Sequence, residues 1–278
     1  MQRAEAELVR LRARPANMGA ALTEALGMVL RGQGPPPGVA EAAALIARAV
    51  EAHAASFPPG GEPDYHDHHH QAEATLVMGW LCAEALRLGQ IDPGHAVAGI
   101  LAMAGHDLQH DGSIPPPGTL EARSAVLTAA LAAQAGLDQT VQDQIRQVIL
   151  ATDPSRAAAG LDEDSMLCRL AREADAFASL TPELGWRLSQ AFGREVRAAG
   201  GNAAPPPGSF AGRLQWLRAQ RPMTEAARNL GLEAGVAAQL AAMAGLGDGD
   251  PEAGARRLDA MPPGEALAHY RTALAAAV

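Results

Sequence analysis

Six clusters of proline and glycine cut this chain into segments, and between the cuts apolar residues recur at helical spacing with no run that reads as a strand. The clusters lie at Gly34–Gly38, Pro58–Pro63, Gly112–Gly118, Gly200–Gly208, Gly245–Pro251 and Pro262–Gly264. Such clusters mark loops, because proline cannot continue a helix and glycine loses the most freedom on ordering. Within the segments, Glu121 to Gln134 is rich in Ala and Leu. Val141, Ile145, Val148 and Ile149 form one stripe, and Leu167, Leu170, Ala174 and Phe177 form one face. Both follow the 3.6-residue period. Aromatics are only 3% of 278 residues, so Ala, Leu, Val and Ile must build the core. Alanine is the strongest helix former, and few β-branched runs compete with it. The spacing predicts an all-α fold, with an N-terminal helical cap over residues 1–57, a core over 58–200 and a helical C-terminal subdomain over 201–278.

Charge narrows the function classes. The formal net charge is −9, and every basic residue is Arg. An acidic chain without clustered cations is a poor binder of nucleic acid polymers. The longest apolar stretch near the middle, Ala96 to Ala104, is far short of the ~20 residues a membrane helix needs. The start, Met1 to Pro15, has no apolar core of a signal peptide. Cys82 and Cys168 stand far apart in no metal or redox pattern, which suits buried reduced thiols. These features predict a cytoplasmic protein that binds neither membrane nor nucleic acid. The N-terminal helices could cover the core or form a homodimer.

The histidines carry the chemistry. Six of the nine, His66, His68, His69, His70, His106 and His110, fall within 45 residues. An even scatter would place one or two there. His106-Asp107 follows the apolar segment ending at Ala104. A carboxylate at a buried helix end is costly without a cation, and a metal removes that cost. Imidazole with carboxylate suits Zn, Fe or Mn, and carboxylate with water suits Mg or Mn. An Asp beside a His ligand can bridge two ions ~3.5–4 Å apart, as two-metal phosphate hydrolysis requires. His68 and His69 read as exposed entry residues, and Asp67 as a helix cap. Trp80, Trp186 and Trp216 read as packing residues. His53, His95 and His269 read as structural or exposed.

Five segments in order resemble the HD-domain metal-dependent phosphohydrolases, in particular the catalytic domain of class I cyclic nucleotide phosphodiesterases. They are Tyr65-His66-x-x-x-His70, His106-Asp107-x-x-His110-x-Gly112, Leu120-Glu121, Leu150-Ala151-Thr152-Asp153 and Glu173-Ala174-Asp175. The resemblance spans residues 60–200 and implies an HD-domain helical bundle. It implies that His70, His106, Asp107 and Asp175 ligate a first ion (Zn, Fe or Mn), and that Asp107 bridges to a second (Mg or Mn). It makes His66 the general acid and places His110 and Glu121 around the attacking water. Thr152 and Asp153 are implied to hold waters of the ions. The implied reaction is hydrolysis of a phosphodiester in a small phosphoester substrate.

The departures from the family matter. Asp67 stands for its Asn, Asp111 for its Pro, and Arg123 and Ser124 for histidines after the Glu. The family holds the purine with a late Gln and an aromatic clamp. Gly212 falls at the Gln position here, with Gln215 and Phe210 the nearby candidates for substrate binding. The metal chemistry reads as intact and the nucleoside pocket as altered. Three other readings compete. One is a phosphohydrolase acting on a small phosphoester that is not a cyclic nucleotide. Another is an HD-type di-iron oxygenase, which needs further His ligands, and no His lies between His110 and His269. The third is a binding module with decayed chemistry, against which the retained ligand set speaks. For individual residues the bland alternatives are a helix-dipole role for Glu121, a local turn at Thr152 and Asp153, and a solvated Asp175.

Overall fold

In the computed structural model, residues 1–158, 165–220 and 223–277 are described, and all their regular structure is helical. The predicted all-α fold is what the chain adopts. Three N-terminal helices, α1 (Gln2–Arg12), α2 (Met18–Val29) and α3 (Pro37–Ala54), precede α4 (His68–Arg87) and α5 (Pro93–Ala104). Next come α6 (Thr119–Gln134), α7 (Gln139–Leu150), the short α8 (Pro154–Ala158), α9 (Met166–Leu180) and α10 (Leu184–Ala198). The C-terminal layer holds α11 (Phe210–Arg218), the short α12 (Glu225–Asn229), α13 (Leu232–Leu246), α14 (Pro251–Asp259) and α15 (Pro263–Ala277).

Local chemistry starts these helices where it should. Side chains of Asn17, Asp67, Asp92, Asp138, Ser165, Ser209, Thr224 and Asp250 accept a backbone N–H in the first turn of the helix that follows. Each satisfies an otherwise orphaned donor. Asp67 is the cap expected from the sequence: it begins α4 at His68 and sets His70 inside its first turn.

The core is centred on α5, which packs against α2, α3, α4, α7 and α9. Every residue from Ala96 to Ala104 is buried, which explains why this segment shows no polar face. Helices α1, α2 and α3 contribute buried residues to this same core, and α2 lies along α4 in close contact. Gly79 permits that approach, since a Cβ there would fall 2.8 Å from Ala25 Cα. Cys82 and Cys168 are both buried. Burial alone pushes the Cys82 thiol far up, so it stays protonated.

A buried cation helps join the C-terminal layer to the core, beside the packing of α12 on α4 and α13 on α9. Arg213 donates to the carbonyls of Ser179 (2.7 Å) and Thr181 (2.8 Å) and to Gln239 Oε1. Its partners are neutral, and desolvation lowers its pKa. Trp186 stacks on Phe210, ring centroids 3.9 Å apart. Trp216 departs from the packing role expected of it, standing 39% exposed on α11. No helix of the described residues is long and apolar enough to cross a membrane.

Candidate metal centre

Three elements converge at the buried end of α5. His70 stands in the first turn of α4, its N–H held by Asp67 Oδ1 at 2.8 Å. His106 and Asp107 occupy the turn after α5, closed by Leu108 N–H to the Gly105 carbonyl and His110 N–H to the Asp107 carbonyl. Asp175 comes from α9. Asp175 Oδ1 lies 3.0 Å from His70 Nε2 and 3.4 Å from His106 Nε2. Asp107 Oδ2 lies 3.4 and 3.2 Å from the same two nitrogens. The two Nε2 atoms are 3.3 Å apart. Asp175 therefore turns Oδ1 into the cluster while its side chain stays partly exposed.

This geometry fits a cation. His106 Nδ1 donates to the Met103 carbonyl at 2.8 Å, so its Nε2 is free to present a lone pair to the centre. Asp107 Oδ2 is buried and, apart from the two imidazole nitrogens it faces, has no hydrogen-bond partner among the described residues, which leaves room in its coordination for an ion or water. Burial alone would lower both imidazole pKa values. Asp107 and Asp175 override it, pushing His70 up to about 9 and His106 well above its ordinary value. The imidazoles in turn hold both carboxyls well below the usual range, against desolvation. Four groups so placed demand positive charge, which a divalent ion supplies without protonating either ring. His70, His106 and Asp175 form a group able to hold a metal ion, their ligand atoms all within 4.8 Å of one another.

A second group adjoins the first. His66 Nδ1 contacts Glu195 Oε1. Glu195 Oε2 accepts the N–H of Tyr65 at 2.8 Å and of His66 at 3.0 Å. Desolvation raises the Glu195 carboxyl, but these bonds hold it below its ordinary value. The His66 ring stacks on His110, centroids 3.9 Å apart, and lies 5.7 Å from the His70 ring. His110 Nδ1 accepts the Gly112 N–H at 3.1 Å. Burial, and then the charge of His66, push it down to about 4, which keeps His110 neutral. His66, His110 and Glu195 also lie close enough together to hold an ion.

Other expected site residues fall in different places. Glu121 is half-buried on α6; burial and then Asp153, Asp107 and Asp175 push its carboxyl up, so it faces the same acidic centre. Thr152 and Asp153 are occupied by the turn between α7 and α8: Thr152 donates to the Ile149 carbonyl, and Asp153 accepts from Ser155 N–H and Oγ, each at 2.8 Å. Arg123 and Ser124, two departures from the family pattern, brace the His-Asp turn from α6 by donating to the carbonyls of Gln109 and Leu108. His53, read as structural or exposed, donates from Nε2 to the His110 carbonyl at 3.1 Å. His68 pairs with Glu62, and His69 with the Arg14 carbonyl.

Phe210 is buried against Trp186 and Tyr270, so neither ring face is free for a substrate. Gln215 is exposed on α11. A Cβ on Gly212 would fall 2.1 Å from the Pro206 carbonyl oxygen, so no Gln fits there without moving that loop.

Glu195 is the site residue that sequence reasoning missed. It lies 129 residues from His66. One signal was available: Glu195 continues the stripe Leu184, Leu188, Ala191, where a buried apolar residue is expected and a carboxylate stands instead. The chain matches no protein-family model and no curated protein by sequence.

Proposed function

We propose that this protein is a metal-dependent phosphohydrolase that cleaves a phosphodiester bond in a small substrate. The observation that carries the reading is the convergence of His70, His106, Asp107 and Asp175, with one oxygen of each carboxylate 3.0–3.4 Å from both imidazole Nε2 atoms at a buried position. These four residues would hold a first ion, Zn, Fe or Mn, with Asp107 shared toward a second, Mg or Mn. When bound, the ions supply Lewis acidity to the phosphoryl oxygens and an activated water nucleophile.

The chain supplies the proton. Nδ1–H of His66 points at Glu195, which fixes the tautomer and the ring's orientation. Nε2 is then the atom that gives a proton to the departing ester oxygen. Neutral His110, stacked on that ring, adds no competing charge. Buried Phe210 and the close packing at Gly212 argue for weak base recognition, so the substrate is a phosphodiester read chiefly through its phosphate.

Metal analysis and turnover of cyclic AMP, cyclic GMP, cyclic CMP and bis-nitrophenyl phosphate with Mn, Mg, Zn or Fe test this. Asp107→Asn should lose both metal and turnover. His66→Ala should keep its metal and lose about 10²–10⁴ in rate on a poor leaving group, and far less on nitrophenolate. Full activity in metal-free protein ends the reading. A second reading follows from His66, His110 and Glu195 being close enough to ligate: His66 then holds an ion, and His66→Ala loses metal.

A further inference from the structure

One buried amide in the core of the site has no part in the scheme above. Gln71 follows His70 directly on α4 and is 3% exposed. Its Nε2 donates to the Asp107 carbonyl at 3.0 Å. The same carbonyl accepts the His110 N–H at 2.9 Å. One oxygen thus ties the α4 start, which carries His70, to the turn that carries His106, Asp107 and His110. The amide's orientation is settled by chemistry: the flipped form would set Oε1 against a carbonyl oxygen. In the orientation observed, Oε1 is buried without a partner among the described residues. An apolar side chain would suit this core position better, with Ala72 and Ala74 buried beside it. A buried polar group kept against its own desolvation, one bond from a ligand-bearing peptide, is the arrangement by which outer groups orient metal ligands.

We propose that Gln71 is a positioning residue: by holding the Asp107 peptide it sets the direction of the Asp107 carboxylate toward His70 and His106. The role presupposes the metal centre proposed for His70, His106, Asp107 and Asp175. It makes Gln71 a determinant of metal affinity that touches no metal itself.

The test uses the full chain with Co²⁺ as the probe, read by its visible spectrum and its dissociation constant. Gln71→Met keeps the length and removes the donor; Gln71→Asn keeps the amide and shortens its reach. Both should bind Co²⁺ roughly 10–100-fold more weakly, with a shifted spectrum, while the melting temperature measured without metal stays near wild type. Gln71→Asn serves as the arm to read if Gln71→Met does not fold. Wild-type affinity and spectrum in a folded variant refute the positioning role while leaving the metal centre standing. Wild-type protein that binds no Co²⁺ overturns the metal centre itself, and the role of Gln71 with it.

Discussion

Arg12→Met should be strongly destabilising although Arg12 lies outside the candidate site. Glu73 lies on α4 three residues beyond His70 and is 1% exposed. Arg12, at the end of α1, clasps it with Nε at 2.7 Å from Oε1 and Nη2 at 2.8 Å from Oε2. The same guanidinium reaches Asp67, the cap of α4, at 3.4 Å. Removing the cation leaves a buried carboxylate uncompensated, which costs about 3–5 kcal/mol. At about 2–4 °C per kcal/mol for a chain of this size, the melting temperature should fall by roughly 6–20 °C. Burial already raises the Glu73 carboxyl and Arg12 opposes that rise, so the variant's carboxyl titrates higher still. A raised carboxyl pKa means the folded state holds a proton that the unfolded state has lost. Stability is then retained below the unfolded value near ~4.3 and lost as pH climbs through the folded value. Urea unfolding at pH 5 and pH 8 should show a larger loss at pH 8. The double variant Arg12→Met, Glu73→Gln should recover part of that loss, because no charge is left stranded. A loss under about 1 kcal/mol at both pH values would place this pair with ordinary surface ion pairs and refute the argument.

Two further outcomes follow from the packing and the site. Gly79→Ala forces a methyl against Ala25 at the α2–α4 crossing and should cost about 1–3 kcal/mol by calorimetry; an unchanged melting curve would mean the helices separate freely. Removal of metal by a chelator should lower stability by about 2.7 kcal/mol relative to protein at 100 times its dissociation constant, and an unshifted transition would mean that no ion binds the native state.

Local features were legible because they act within one turn of chain. Alanine and leucine at helical spacing, and prolines and glycines at the breaks, need no distant partner, so the all-α fold and segments that became α5, α6, α7 and α9 could be read directly. Of the candidate cluster, His106 and Asp107 stand out as a polar pair after an apolar segment, and His70 as part of a dense run of histidines; Asp175, in the interior of α9, is singled out only by its place in the order of motifs that the resemblance supplied. What residues do across the chain was not legible. Phe210 and Trp216 are both aromatics on α11, yet one is buried against Trp186 and Tyr270 and the other faces solvent. The packing of α11 on α14 and the rest of the C-terminal layer decides between them. Thr152 and Asp153 look like site residues by position, and their hydrogen bonds go to a local turn. Glu195 and Gln71 acquire their meaning only from tertiary contacts, one at His66 and one at the Asp107 carbonyl. Periodicity names the buried face of a helix, and only the packing of helices against one another names the atom waiting there.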